Sequence, residues 1–89
     1  MTKLKSVRMS TGLTQAQLAA LTGLNLRTLQ YYEQGNKKIE HAKLETILKI
    51  CQVLNVEMGQ IIDDEGLLYL YNKYFDLLKD KPDINKIGG

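Results

Sequence analysis

The chain has one cysteine and one proline. A lone Cys51 forms no internal disulfide, and no Cys or His cluster offers the spacing of a zinc site. Pro82 stands near the C-terminal end, so the residue that most strongly breaks helices is missing from everything before it. Long apolar runs are also missing. The longest, Leu67–Tyr71, has five residues, far short of the roughly 20 a membrane-spanning helix needs. Met1–Ser10 interleaves Lys and Arg with apolar residues and lacks the continuous apolar segment of a signal peptide. These absences together predict a cytoplasmic protein. No Ser/His/Asp or Cys/His set and no phosphate-cradling glycine loop is present, so no enzyme, cofactor or metal site is expected. The Asp63-Asp64-Glu65 run lacks a calcium-loop pattern and reads as a solvated linker.

What is present is unevenly charged. The formal net charge of +2 divides sharply: residues 1–44 carry seven Lys and Arg against two acids, residues 45–89 five Lys against eight acids. Such asymmetry suggests a polyanion-facing first half and a solvated or partner-facing second half.

The apolar residues recur at helical spacing between glycines, which predicts an all-α chain. Helix one is expected over Thr2–Thr11, with Leu4 and Val7 inward and Lys3 and Lys5 wet. Thr14 and Gln17 have capping-box spacing at the start of helix two, with Leu13 and Leu18 at the staple positions and Gly23 as the stop. Asn25 is the expected N-cap of helix three, Leu24 and Leu29 its staple, Gly35 its stop. Helix four, about Ala42–Leu54, places Leu44, Ile47, Leu48, Cys51 and Leu54 on one stripe. A short helix near Met58–Ile62 adds Ile61 and Ile62 to the core. Gly66–Asp80 reads as a further helix with an apolar face too wide for a surface helix, so it needs either the flank of its own domain or a second chain. The last residues, Asp83–Gly89, read as a frayed tail.

Two short helices joined by a glycine turn form a unit that reads DNA, the first lying across the backbone and the second entering the major groove. The unit needs a small residue at the helix crossing (Ala19), a turn glycine (Gly23) and an apolar inner face (Leu29, Tyr32). Asn25, Leu26, Arg27, Thr28, Gln30, Tyr31 and Gln34 are then left facing outward, and Arg, Asn and Gln carry forked groups that match base edges.

In Leu4-x-x-Val7-Arg8, Gly12-Leu13-Thr14-Gln15-x-x-Leu18-Ala19, Gly23-Leu24-Asn25, Thr28-Leu29-x-x-Tyr32-Glu33-x-Gly35 and Leu44…Ile47…Leu54 the chain resembles the Cro and lambda-repressor-like (XRE-like) helix-turn-helix domains, over Leu4 to about Ile62. The resemblance implies a lambda-repressor-like five-helix DNA-binding domain in residues 1–62. Residues 63–89 are then an extension carrying the additional C-terminal helix and the tail. It also implies groove contacts from Leu26, Arg27, Thr28 and Tyr31, and a phosphate contact from Gln15, which braces the recognition helix. Asn36, Lys37 and Lys38 match a backbone-gripping loop, and Lys43, in the first turn of helix four, a position near phosphate. Arg8 and Glu33 match a structural pair tying helix one to the end of the recognition helix. Asn25 and Gln30 complete the expected base-reading set, and Thr14 the phosphate set. Leu26 is apolar where polar readers are common, which suits either a thymine methyl or packing. The expected activity is sequence-specific regulation of transcription, as a repressor, by a homodimer on double-stranded DNA. The alternative is an antitoxin that binds DNA and neutralises a toxin through its C-terminal half.

Overall fold

The structure is a computed structural model that describes residues 1–80; the expected frayed tail lies outside the described residues. Five α-helices run α1 (Lys3–Thr11), α2 (Gln15–Thr22), α3 (Leu26–Gln34), α4 (Leu44–Leu54) and α5 (Glu65–Asp80), with single 3-10 turns at Ile39–His41 and Met58–Gln60. No strand occurs among the described residues. The expected fifth helix of the domain is thus the 3-10 turn at 58–60, followed by the buried pair Ile61 and Ile62.

Local chemistry sets the boundaries. Thr2 Oγ1 accepts from the Lys5 N–H at 3.2 Å, so α1 starts at Lys3 with Thr2 outside it as the cap. Thr14 and Gln17 form the reciprocal box, Gln17 N–H to Thr14 Oγ1 at 3.1 Å and Thr14 N–H to Gln17 Oε1 at 2.9 Å. Asn25 Oδ1 accepts from the Arg27 N–H at 2.8 Å. Gly23 takes the left-handed conformation (φ 73°) that closes α2, and the Leu24 N–H then reaches back to the Ala19 carbonyl at 3.0 Å. Asn55 does the same for α4 at φ 57°.

The core draws one fully buried aliphatic from each of α1 to α4, Leu4, Leu18, Leu29 and Ile50, and a fifth, Ile61, from just after the second 3-10 turn. Each contributes about 1.5–3 kcal/mol by leaving water. α2 packs against both α3 and α4, and α1 lies across α3 and α4. Ala19 is buried, as a helix crossing requires.

Helix four differs from expectation. Ile39 is buried and anchors a 3-10 turn, so α4 begins at Leu44 with Lys43 as its N-cap, outside the first turn. Its inward face is Ile47, Ile50, Cys51 and Leu54, spaced three, one and three as a helical face must be. Leu44 and Leu48, expected on that stripe, fall to its edges and are 61% and 50% exposed. Cys51 is buried, and that burial pushes its thiol pKa up. Lys3 and Lys5 are half-buried rather than wet, as long aliphatic stems lying on the domain surface allow.

The acidic run is also more than a linker. Asp63 Oδ1 accepts from the Lys3 N–H at 3.0 Å, fastening the start of α1 to the end of the domain. Asp64 Oδ1 accepts from the Leu67 N–H at 3.0 Å and caps α5. That bond holds the Asp64 carboxyl below the usual carboxylate range, with Lys38 and His41 adding to the effect.

Candidate nucleic-acid interface

The α3 sequence LRTLQYYEQ alternates faces at helical period, with Leu29 and Glu33 buried on one side. Asn25, Arg27 and Gln34 are exposed on the other side, Leu26 is 41% exposed, and Thr28, Gln30 and Tyr31 are half-buried. The structure therefore brings the six expected base readers to one continuous surface at the start and outer face of α3. Their freedom differs. The carboxamide oxygen of Asn25 is committed to the cap, which leaves its NH₂ as the outward donor.

Glu33 is an acid at 2% exposure on the inner face of α3. Burial of a carboxylate is costly unless it is paired, and the pairing is complete. Arg8 Nε donates to Glu33 Oε2 at 2.6 Å and Arg8 Nη2 to Glu33 Oε1 at 3.0 Å, a two-pronged contact. Arg8 Nη1 donates to the Leu13 carbonyl at 2.7 Å, reaching the segment that precedes α2. Gln15 Nε2 donates to Glu33 Oε1 at 3.1 Å, and Gln30 Nε2 stands 3.5 Å from Gln15 Oε1. Thr2 Oγ1 closes the set by donating to the Glu33 backbone carbonyl at 2.8 Å. One buried carboxylate thus fixes the relative placement of α1, α2 and α3, and its chain of bonds ends at Gln30, half-buried on α3.

Beyond Gly35 (φ 82°) the chain turns to present Asn36, Lys37 and Lys38, all exposed. The Lys37 N–H donates to the Tyr31 carbonyl at 3.2 Å, and Lys37 Nζ lies 5.6 Å from the Tyr31 ring centroid. The cation is thereby held over an aromatic face beside the reading helix. An open concavity of about 570 Å³ elsewhere is not basic (Leu48, Cys51, Gln52, Glu57), whereas one of about 520 Å³ is lined by Tyr32, Asn36, Lys37, Lys38 and His41. Lys43 is exposed at the N-cap of α4 with no side-chain cap bond there, so the first N–H groups of α4 open outward beside a cation. Thr14 is exposed and Gln15 half-buried at the start of α2.

Sequence reasoning passed over Ile39, legible as the lone large apolar residue between Gly35 and Ala42, whose burial anchors the 3-10 turn after the lysine loop. His41, which the sequence offers as a phosphate donor or as a boundary histidine without a partner, is exposed at the end of that turn and lines the basic concavity.

A short helix across which a second, polar-faced helix is set by a glycine turn, with cations beside it, defines a helix-turn-helix protein. The helix-turn-helix family model HTH_3 matches residues 4–61, and the chain belongs to that DNA-binding family. No curated protein and no solved structure matches it. Among the described residues no group of three His, Cys, Asp or Glu side chains is placed to hold a metal ion, and no helix is long and apolar enough to cross a membrane.

Proposed function

We propose that this protein is a sequence-specific transcriptional repressor that acts in the cytoplasm as a homodimer, each copy inserting α3 into the major groove. Arg27, Gln30 and Asn25 read base edges through their donors, Thr28 and Tyr31 add contacts from the first and second turns, and Leu26 meets a thymine methyl. Thr14, Gln15, Asn36, Lys37, Lys38 and Lys43 hold the sugar-phosphate strands, the last with the N-terminal N–H groups of α4. The observation that carries the reading is the outer face of α3, with Asn25, Leu26 and Arg27 exposed and Thr28, Gln30 and Tyr31 half-buried, flanked by Lys37 and Lys38, with Lys37 held over the Tyr31 ring. One module of this kind buries only about 600–1,000 Å² on DNA. Specificity for one promoter therefore calls for two copies on half-sites about 34 Å apart, or a multiple of that.

The test is binding to the promoter region of the protein's own gene over a series of salt concentrations. Lys37, Lys38 and Lys43 in two copies neutralise about six phosphates and release counterions with a slope of about −5 in log K against log salt. Affinity independent of salt would overturn the reading, as would a promoter whose transcription in vitro does not fall when the site is occupied. The second reading, an antitoxin, keeps the DNA interface and gives the exposed face of α5 to a toxin; the acidic second half of the chain and that exposed face favour it.

A further inference from the structure

The DNA interface leaves one large surface unused. α5 meets the rest of the chain mainly at the 3-10 turn 58–60. There Gly59 lets it approach: a Cβ at that position would stand 2.8 Å from Tyr71 Cε1 and 3.4 Å from Leu68 Cδ1. Phe75 continues that side, half-buried, with its ring 4.8 Å from Tyr71 in an edge-on contact. Leu68, Tyr71 and Phe75 thus form the face turned to the protein's own domain.

A second stripe runs beside it. Leu67, Leu70, Tyr74 and Leu77 are spaced three, four and three residues apart and are 37%, 63%, 60% and 69% exposed. This is the alternation that two-stranded coiled coils place at their seam. With Leu78 (47% exposed) the stripe presents roughly 500 Å² of apolar surface, at the upper end of what a monomer shows in one patch. Two such faces together bury roughly 1,000 Å², the lower bound for a specific interface. The positions flanking the seam are Tyr71 and Leu78 on one side and Gly66, Lys73 and Asp80 on the other. Between Leu67 and Leu77 the flanks hold one cation and no acid, so this stretch carries no charge that calls for a basic partner and its apolar stripe is complementary to itself.

We infer that α5 pairs with α5 of a second copy as a parallel, in-register coil with Leu67, Leu70, Tyr74 and Leu77 in the seam. This deepens the dimeric reading above and rests on it. Lys73 decides the direction. In an antiparallel pair the two Lys73 side chains meet across the centre, like charge against like. In a parallel pair each Lys73 stem lies along Leu78 of the other copy, while its Nζ already leans outward, 5.6 Å from the Tyr69 ring centroid. Parallel pairing also keeps both recognition helices at one end of the coil. Two heptads make a modest interface, which binding to paired half-sites strengthens through effective concentration.

Cross-linking and sedimentation of the full chain without DNA test this. A Leu77→Cys variant oxidised with diamide is expected to form a covalent dimer with itself, because residue 77 faces residue 77 only in a parallel, in-register pair. The native Cys51 is buried and serves as the background control in the wild-type chain. A Leu70→Lys, Leu77→Lys variant is expected to sediment as a monomer, at least tenfold weaker in self-association, with unchanged binding to a single half-site. A cross-link that forms only when Leu67→Cys and Leu77→Cys chains are mixed overturns the parallel arrangement. A wild-type monomer at all concentrations, or a dimer indifferent to the two lysines, overturns the pairing; a monomer that forms a complex only with the product of an adjacent reading frame assigns the face to a toxin. Half-site binding is read separately, so failure of the coil leaves the DNA reading standing.

Discussion

Replacing Arg8 with methionine is expected to destabilise the domain by about 3–5 kcal/mol, the cost of removing one partner from a buried ion pair. The same substitution in an exposed pair costs about 0–1 kcal/mol, so burial decides between the two. The Arg8 and Glu33 side chains are 10% and 0% exposed, which places the pair in the buried class. Without Arg8, the Glu33 carboxylate keeps only the Gln15 amide at 3.1 Å, and the Leu13 carbonyl loses the donor that now stands at 2.7 Å. For a domain of this size each kcal/mol lowers Tm by about 4–8 °C, so Tm falls by about 12–40 °C, measured by far-UV circular dichroism and checked by urea titration. A double variant, Arg8→Met with Glu33→Leu, removes both charges and is expected to recover most of the loss, because a well-packed apolar pair replaces a buried ionic one at little net cost. A loss below about 1 kcal/mol for Arg8→Met, or a double variant no better than the single, refutes the reasoning.

Two further outcomes follow from α5. Gly59→Ala places a methyl 2.8 Å from the Tyr71 ring, and overpacking of this kind costs about 1–3 kcal/mol unless the ring and its helix move; faster amide exchange across residues 65–80, with residues 4–54 unchanged, is the expected signature. Asp64 has its carboxyl pKa lowered by the bond from the Leu67 N–H, so the stabilisation it gives α5 is complete above the ordinary carboxylate pKa of about 3.9 and is lost as pH falls through the lowered value. Exchange protection of the first turn of α5 should therefore hold at neutral pH and fall only in acid, and Asp64→Asn should flatten that dependence.

Much of the fold was legible because its signals are local. Thr14 with Gln17, Asn25, Gly23 and Gly35 each act on backbone groups within a few residues, so caps and stops can be read from spacing alone, and all lie where expected. The outward set on α3 follows from the same period. Where sequence reading strayed, a distant partner was responsible. Leu44 and Leu48 look like core residues until α4 packs on α1 and α2, which turns Ile50 inward beside Ile47, Cys51 and Leu54. Asp63 reads as part of a solvated linker until the chain folds back and brings it the Lys3 N–H, sixty residues away; the Asp64 cap on Leu67, three residues on, is by contrast a local signal that the linker reading missed.

By itself, then, the order of residues determined that the chain is helical, where its reading helix begins and ends, and which side chains that helix turns outward, since hydrogen-bond capping and apolar periodicity act over a turn or two. Tertiary structure alone decided that Glu33 is buried and bound by three helices, that the lysine loop and His41 line one concavity, and that Gly59 holds one side of α5 to the domain while its Leu67–Leu77 stripe stays open. Those outcomes depend on which surfaces meet across long stretches of chain, and local spacing does not encode such meetings.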